Sequence, residues 1–538
     1  MATRHEEIQP GPGLASRAGL VGGLVAAVAA LLICASNPQN AAAKTLEVGG
    51  SGYPTISAAV QAASPGDTVR IHAGTYREEV AIDEAITLDL FGDGDVWVDG
   101  QCLRNHAFWI WGSGATLRNI KVTNTIEAGV LLFADRPDQL QPSNITIDGM
   151  TIQDFDCRWT SEEPGTWGQY RAGIASWYGG PGMRITNNLV QFRASGSPHG
   201  AADGIWFKSR DLTPSGGGHY IAGNTIIGGW DGIGGEEEGS AHGTFDRDTI
   251  VENNTIRDCW DDGIQSEGGN QNVRLRNNDI SGCGTGIAFA APVTGPLYIE
   301  QNHIHDLSIG LYENLFCFKV GNDGGGTTYL TENICDVDSS AEAAQGAGAD
   351  GIHQTNEGLS PIVSRRNIFQ VSAYVFILPE YPLPPGTSLD EDCVSTTDPE
   401  RFVKWSGSVY LASLAELQAV GQEANGRQTT DCSFLGTPKP LPSLAPPPRT
   451  TPGAALSATA PAGATTAAGQ PTPGSAGQTT PGQPTTSPEQ TAGSDDDLGA
   501  LASPLALALE ALAGLLLLGL GFAGGVRWSR RGGSPPAP

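Results

Sequence analysis

The sequence has few methionines and few basic side chains. Of 538 residues only 3 are Met, and 30 Lys and Arg face 58 Asp and Glu, which gives a net charge of −28. Such an acidic surface argues against nucleic-acid binding, because phosphate binding requires positive charge. The 73 glycines and 39% apolar residues exclude a helical bundle and a polytopic membrane protein. Cations, neutral glycans and anions bridged by a metal remain as partners.

Several motifs that carry chemistry are also missing. The sequence contains no CxxC pair, GxSxG, Walker loop or HExxH, so thiolate metal ligation, serine hydrolase, NTPase and zincin functions lack support. His303 and His305 alternate on a predicted strand, but two imidazoles alone are not a metal site. Cysteines outside a predicted signal can form disulfides outside the cell. Cys259 and Cys283 should stack within bridging distance on neighbouring repeats, and Cys393 with Cys432 is a further pair that sequence alone does not fix.

Both ends of the chain look like targeting or tethering segments. Residues 1–43 have the order of a secretory signal, with a lipoprotein site at Cys34 as a weaker alternative. Residues 505–526 are apolar over a length that can cross a bilayer, and the basic tail 527–538 is predicted to be cytoplasmic. Residues 437–500, rich in Pro, Thr, Ser, Gly and Ala, are predicted to be a disordered linker. We therefore expect an exported body that faces outward and is anchored in the cell membrane.

The strongest signal is an internal repeat. The pattern apolar-x-x-Asn-x-apolar recurs through the body at spacings of about 24 to 36 residues. Its asparagines are Asn188, Asn224, Asn254, Asn278 and Asn302, with looser copies at Asn119, Asn333 and Asn367. Asn tolerates the left-handed backbone of a sharp corner, and its amide can bond the amides above and below it. One repeated corner is therefore predicted to carry an asparagine ladder.

A Gly-apolar pair marks a second repeated position. The pairs begin at Gly129, Gly173, Gly204, Gly232, Gly263, Gly286, Gly310 and Gly351. A unit this short cannot bury its apolar residues alone, but stacked coils with parallel strands about 4.8 Å apart can. The sequence therefore predicts an all-β protein, a single-stranded right-handed parallel β-helix with short helical caps. Its N-terminal cap and first strand are predicted at 44–75, the repeats at 76–375 and the C-terminal cap region at 376–436.

Three segments resemble the pectate-lyase-like family of parallel β-helix proteins. They are YPTISAAVQAASPGDTVRIHAGTYRE (53–78), the Asn and Gly-apolar repeats, and SLAELQAVGQEANG (413–426). The resemblance covers nearly all of 45–427. It is specific for the fold and only weakly specific for a reaction, since this scaffold hosts lyases, hydrolases, epimerases and adhesins.

Aligning the coils on the Gly-apolar pair brings charged residues into two columns. Immediately before the Gly stand Asp203, Asp231, Asp262 and Asp350, with Asp261 beside Asp262, and three residues after the apolar position stand Lys208, Glu236 and Glu267. Converging carboxylates repel one another unless they are protonated or bridged by a hard cation, and Ca²⁺ takes six to eight oxygen ligands. We therefore predict a Ca²⁺ site formed by Asp203, Asp231, Asp261, Asp262, Glu236 and Glu267. The alternative is that each Asp bonds its own turn backbone and that Lys208 pairs with the Glu column.

ADGIWFK (202–208) and WDDGIQSE (260–267) resemble segments of family 9 polysaccharide lyases. The resemblance implies that Asp203, Asp231, Asp261 and Asp262 hold Ca²⁺ and that a Lys removes the proton α to a uronate carboxylate. Lys208 is ranked first as the base because it is close to the column. In the family, however, the base follows the Asp-Asp-Gly coil, as Lys319 does here. Arg274 and Arg276 are alternatives in the manner of other lyases.

Aromatic residues crowd the same third of the body. They are Trp159, Trp167, Tyr170, Trp177, Tyr178, Trp206, Trp230 and Trp260. Aromatic faces stack on sugar rings, although the same residues could fill the coil interior or its loops. The residues predicted to bind substrate are Trp177, Trp206, Trp230, Trp260, Arg274 and Arg276.

These features predict a monomeric, surface-anchored protein that acts on an acidic glycan. The leading hypothesis is Ca²⁺-assisted β-elimination of a uronate polymer, with Lys208, Asp261, Asp262 and Lys319 as the catalytic candidates. A non-catalytic adhesin or glycan-binding module is one alternative. An inverting glycoside hydrolase that uses two of Asp231, Asp261 and Asp262 is another.

Overall fold

The computed structural model describes residues 42–449 apart from short gaps. The gaps are 83–88, 134–140, 159–169, 194–201, 210–213, 236–239, 291, 309–314, 323, 338–347 and 399. The predicted signal 1–43 falls almost entirely outside the described residues, as do linker residues 450–500, the span 505–526 and the tail 527–538. Within the described part, no helix is both long and apolar enough to span a membrane.

Two sheets form the body in the described residues, and their strands are parallel except for the antiparallel pair of Val403–Trp405 with Val409–Leu411. The 24-stranded sheet, called here the paired-strand sheet, consists of Thr45–Val48, Thr68–Tyr76, Asp89–Asp99, Thr116–Arg118, Lys121–Thr123, Thr146–Asp148, Thr151–Gln153, Arg184–Thr186, Leu189–Gln191, Tyr220–Ala222, Thr225–Ile227, Ile250–Glu252, Thr255–Arg257, Val273–Arg276, Asp279–Ser281, Leu297–Glu300, His303–His305, Thr328–Thr331, Ile334–Asp336, Ile362–Arg365, Ile368–Val371, Ser388–Asp390, Cys393–Thr396 and Arg427–Gln428. The 13-stranded sheet, called here the glycine sheet, consists of Val80–Ile82, Phe108–Ile110, Val130–Phe133, Ala172–Trp177, Asp203–Lys208, Ile233–Gly235, Asp262–Ser266, Thr285–Ala290, Leu315–Gly321, Ala349–Gln354, Phe376–Ile377, Val403–Trp405 and Val409–Leu411.

Each strand pairs with its counterpart one coil later, so equivalent side chains stack. In the paired-strand sheet, Ile185 lies opposite Ile221, which lies opposite Val251. All three are buried in the single large core cluster. The predicted parallel β-helix is therefore confirmed, and its interior is a continuous apolar column.

The ladder asparagines form one buried line of hydrogen bonds. Its members are Asn188, Asn224, Asn254, Asn278, Asn302, Asn333 and Asn367. In each, the backbone N–H and the side-chain Nδ2 donate to Oδ1 of the next, over 2.8–3.1 Å. The line ends at Asp392, whose Oδ1 accepts from Asn367. This ending suits a carboxylate, which only accepts.

One detail of the asparagine prediction is wrong. The left-handed backbone belongs to the residue before each ladder position, for example Asn187, Gly223 and Asn253. Asn119, one of the looser copies of the pattern, is the exception, because its own backbone is left-handed, with φ of 55°. Corner and ladder roles are therefore carried by two adjacent residues, because the ladder side chain must point inward while the corner turns the chain.

The glycines of the Gly-apolar pairs face the core. A Cβ added to Gly263 would lie 2.4 Å from Ile280 Cγ2, and one added to Gly232 would lie 2.4 Å from Ile256 Cγ2. Any larger residue would therefore collide with the opposite sheet, and this contact explains the repeated glycine.

Short helices lie near the ends of the stack, and four disulfides cross-link the described chain. The α-helices are Ile56–Ala62 and Leu414–Ala419, and the 3₁₀ helices are Ser406–Ser408 and Ser433–Leu435. Thr55 and Ser413 cap the two α-helices by accepting backbone N–H groups. The predicted pairs Cys259–Cys283 and Cys393–Cys432 are confirmed, and the structure adds Cys102–Cys157 and Cys317–Cys335.

Residues 436–449, called here the strap, run back along the paired-strand sheet. The backbone carbonyls of Lys439, Pro442 and Pro447 accept hydrogen bonds from Gln301, Arg276 and Arg184 at 2.6, 3.0 and 2.5 Å. Proline has no N–H to satisfy, so these carbonyls can accept from the sheet without leaving a proline donor unpaired, and Arg449 of the strap donates to Asn144 O and Thr146 Oγ1. The first part of the segment predicted as a linker thus packs on the body.

Candidate functional site

The aspartates before the Gly-apolar pairs form a ladder on three successive coils. Asp203 Oδ1 accepts from the backbone N of Asp231 at 3.2 Å, and Asp231 Oδ1 accepts from the backbone N of Asp262 at 2.9 Å. The next coils place Thr285 and then Phe316 at this position, before Asp350. The acidic column is therefore continuous only from Asp203 to Asp262, and its carboxylates do bond backbone, although that of the following coil.

Three carboxyl groups converge at the end of this column. Asp231, Asp261 and Asp262 are 1%, 6% and 0% exposed, and one oxygen of each lies within 4.8 Å of the others. Lys319 Nζ lies 2.8 Å from Asp262 Oδ2 and 3.5 Å from Asp261 Oδ1. Asp262 Oδ1 is buried without a hydrogen-bond partner among the described residues. The cluster therefore holds more negative charge than the one amine in contact with it neutralises.

Burial and mutual repulsion make these carboxyls hard to ionise. Burial raises the pKa of Asp231 well above its ordinary value, and the neighbouring Asp262 raises it further. Burial and Asp262 also raise the pKa of Asp261, to about 7, despite the opposing effect of Lys319. A cation bound here would reverse these shifts.

The donor set of the cluster fits Ca²⁺. Two oxygens that each lie about 2.4 Å from one Ca²⁺ can be at most about 4.8 Å apart, and one oxygen from each of these three carboxylates lies within 4.8 Å of the others. Asp203 and Glu267 do not join this group of three, and Glu236 falls outside the described residues. The predicted set of six thus contains a compact core of three residues.

Lys319, which the sequence ranks second as the base, contacts the acidic cluster. Its side chain reaches the carboxylates across two coils, whereas Lys208 lies at the end of its strand, opposite Trp177. Spacing along the repeat favours Lys208, because it does not include the length of a side chain that spans an intervening coil.

Aromatic side chains lie on the glycine sheet on the coils that precede the acidic cluster. Trp177 and Trp206 pack with Trp109, Phe133 and Tyr170 on a small apolar patch. The ring centroids of Tyr170 and Trp177 are 4.8 Å apart, and those of Phe133 and Tyr170 are 5.3 Å apart. Trp109 and Phe133 are not among the aromatic residues predicted from the sequence. Phe133 stands three residues after Val130, the position of Trp177 in its own repeat, so the repeat frame contained the signal.

Trp206 connects the aromatic patch to the acidic cluster. It lies opposite Gly234, which lies opposite Gln265, and the same row continues through Ala288 to Lys319. Trp230 and Trp260, both half-buried, precede Asp231 and Asp261 on neighbouring coils. Trp206, Trp230 and Trp260 therefore lie on the coils that carry the aspartates, whereas the predicted residues Trp159 and Trp167 fall outside the described residues.

The two predicted arginines lie on the other sheet. Arg274 pairs with Glu300 at 3.0 Å and packs 3.9 Å from the Tyr298 ring. Arg276 is buried against Glu252 at 2.6 Å and donates to Pro442 of the strap. Both arginines therefore lie on a different sheet from the aspartates and contact partners on the paired-strand sheet, and their role in substrate binding stays a prediction.

Comparison with known proteins confirms the architecture. Residues 103–333 match the family model described as a right handed beta helix region. No curated protein matches the sequence. A similar solved structure is the catalytic domain of Agl-KA, with 13% identity and a TM-score of 0.43, covering 69% of this chain and 68% of that one. The alginate lyase from Paenibacillus sp. str. FPU-7 has 14% identity and a TM-score of 0.33, covering 59% and 99%. The family 28 exopolygalacturonase of Yersinia enterocolitica has 11% identity and a TM-score of 0.25, covering 65% and 71%.

Proposed function

We propose that this chain is a surface-anchored enzyme that cleaves a uronate polymer by β-elimination. The observation that carries the proposal is the contact of Lys319 Nζ with both Asp261 and Asp262. A third buried carboxyl lies beside them, and the aromatic patch lies on the same sheet. A base and an anionic cluster next to stacking surfaces are the parts that such a reaction needs.

Lys319 is the proposed base. Removing the proton α to a uronate carboxylate requires a group with a free electron pair near the substrate. The Lys319 amine can supply it once it gives up its proton, and its side chain is only 12% exposed, so water has little access. Asp262 accepts from this amine at 2.8 Å and so fixes where it points. The α-carbon of the substrate would lose its proton to Nζ, and the resulting electron pair would expel the 4-linked sugar oxygen.

The acidic cluster is the proposed Ca²⁺ site, held by Asp231, Asp261 and Asp262. When bound, the ion would neutralise the uronate carboxylate and stabilise the enolate-like charge that develops on it. Without a cation, three aspartates would repel an anionic substrate. Dependence on a divalent cation is therefore part of the proposal.

The aromatic patch and the row of residues that leads from it to Lys319 are the proposed path of the glycan. Coils are about 4.8 Å apart, so the row from Trp206 through Gly234 and Gln265 to Lys319 is long enough for several sugar rings. Trp206 and Trp177 would stack on rings next to the one that is cleaved.

The test is incubation of the purified full chain with a panel of uronate polymers, with added Ca²⁺ or with a chelator. We expect an unsaturated, ultraviolet-absorbing product that needs Ca²⁺. Saturable binding of a polymer without turnover would favour the adhesin instead. Release of reducing ends without an unsaturated product would favour a hydrolase.

The geometry gives less support to an inverting hydrolase. Such enzymes keep their two carboxyls about 6.5–9.5 Å apart to admit a water molecule. Here one oxygen each of Asp231, Asp261 and Asp262 lies within 4.8 Å of the others.

A further inference from the structure

We propose that Asp279, His303 and His305 form a second metal site, which binds one divalent transition-metal ion such as Zn²⁺. The site lies on the outside of the paired-strand sheet, away from the acidic cluster of the glycine sheet. One ligand atom from each of the three side chains lies within 4.8 Å of the others.

The fold itself brings the three residues together. Asp279 lies directly opposite His303 on the neighbouring coil, and Ser281 lies opposite His305. Residues two apart on a strand share a face, so both imidazoles point outward beside the carboxylate while Ile304 between them is buried in the core. The two rings are nearly parallel, at 22°, with centroids 4.3 Å apart.

The spacing matches a tetrahedral ion. His303 Nδ1 lies 3.3 Å from Asp279 Oδ2, and His305 Nε2 lies 3.5 Å from Asp279 Oδ1. Ligand atoms bound about 2.0–2.1 Å from a tetrahedral Zn²⁺ are separated by about 3.3 Å. Small side-chain rotations would therefore place both nitrogens and one carboxylate oxygen around a common centre.

Asp306 fixes the hydrogen that decides which nitrogen of His305 is available. Its Oδ2 lies 2.7 Å from His305 Nδ1, and because an ionised carboxylate only accepts, the proton is on Nδ1. In the neutral ring that binds a metal, the lone pair is then on Nε2, which lies 3.5 Å from Asp279 Oδ1. A carboxylate behind a ligating imidazole is the usual support of a metal-bound histidine.

The donor types select the class of ion. Imidazole suits Zn²⁺, Cu²⁺ and Ni²⁺, whereas Ca²⁺ and Mg²⁺ prefer oxygen ligands. The side chains of His303, His305 and Asp279 are 42%, 26% and 49% exposed, so an ion can enter from solvent and keep water as a further ligand. Asp336, opposite His305 on the next coil, adds a nearby carboxylate. An ion bound here would link two neighbouring coils and stabilise the stack against unfolding.

The test is titration of the full chain, purified without a polyhistidine tag, with Zn²⁺ while bound metal and thermal unfolding are measured. We expect about one ion bound through this site and a rise in Tm, with no comparable response to Mg²⁺. The H303A/H305A double variant should lose this binding. Asp306→Ala should weaken it by about 10–100-fold, since Asp306 is a positioning residue.

Two matched variants separate this site from others. His72 also contacts two carboxylates, of Glu47 and Asp93, but within the described part of the chain it is not grouped with a second imidazole, so His72→Ala should leave Zn²⁺ binding unchanged. Asp262→Asn removes a carboxylate of the acidic cluster and should also leave it unchanged. Zn²⁺ binding that survives in a folded H303A/H305A variant, or wild-type protein that binds no Zn²⁺, would overturn the proposal.

Discussion

Lys319 Nζ donates to Asp262 Oδ2 at 2.8 Å, although 57 residues separate them. The coil between them places Ala288 in line with Lys319. The short alanine side chain leaves the space that the long lysine crosses. The only cation shown in contact with the three buried carboxyls among the described residues thus comes from two coils away.

Replacing Lys319 by Arg tests its proposed role as the base. Arginine keeps the positive charge against Asp261 and Asp262 but does not give up its proton in proteins. We expect turnover of a uronate polymer to fall by about 10²–10⁴-fold, the usual contribution of a general base, with folding preserved. Initial rates of unsaturated product formation measure the effect.

Lys208→Met is the control for this variant. Lys208 lies on the same sheet, opposite Trp177, and we expect its loss to change turnover much less. If Lys208→Met abolishes activity while Lys319→Arg retains it, Lys319 is not the base.

Gly263→Ala tests why glycine recurs before the apolar position. The new Cβ would lie 2.4 Å from Ile280 Cγ2 and 2.7 Å from the Gly286 carbonyl oxygen. Overpacking of this kind costs about 1–3 kcal/mol of the free energy of unfolding. Thermal or denaturant unfolding measures the cost. In Gly74→Ala the nearest atom would be 3.6 Å away, an ordinary contact, so that variant should unfold like the wild type.

The raised pKa of Glu423 leads us to expect that the free energy of unfolding falls as the pH rises. Burial and the neighbouring Asp392 raise the pKa of Glu423 from 4.5 to about 10. Between these values the folded chain holds a proton that the unfolded chain has released, so the free energy of unfolding falls with increasing pH. This stabilising contribution is complete below the unfolded value of 4.5 and is lost as the pH rises towards about 10. Thermal melts at several pH values across this window measure the slope.

Glu423→Gln should make that slope shallower, because glutamine carries no titrating proton. The remaining slope comes from other buried carboxyls with raised pKa, such as Asp156 and Asp261, at about 6 and about 7. Glu416→Gln, on the exposed face of the cap helix, should leave the slope as in the wild type. An unchanged slope in Glu423→Gln would mean that Glu423 is ionised in the folded protein.

The spacing of apolar, Gly and Asn residues predicts the repeat correctly, but it does not give every residue in the repeat its correct structural role. The predicted ladder of Asn188 and its equivalents is confirmed, because stacking brings each buried amide against the next amide and against a backbone carbonyl of the preceding coil. The left-handed corner was wrongly given to the same residue, since the sequence shows Asn at both positions in some coils, as at Asn187 and Asn188. The sequence predicts that Arg276 binds an anionic substrate. Its buried partner, Glu252, lies directly opposite it on the neighbouring coil, 24 residues away. The repeat spacing puts the two positions side by side, but the sequence alone does not show that both side chains are buried there under the strap.

The sequence by itself determined the stack, since a period of apolar, Gly and Asn positions has one low-energy solution when every coil repeats it. It also placed Asp203, Asp231 and Asp262 in one column, because register follows from that period. Only the tertiary structure decided that Lys319 contacts the carboxylates, that the strap covers Arg276, and that Asp279 meets two imidazoles. These contacts depend on how far side chains reach between coils and on which sheet each residue lies, and the repeat pattern specifies neither.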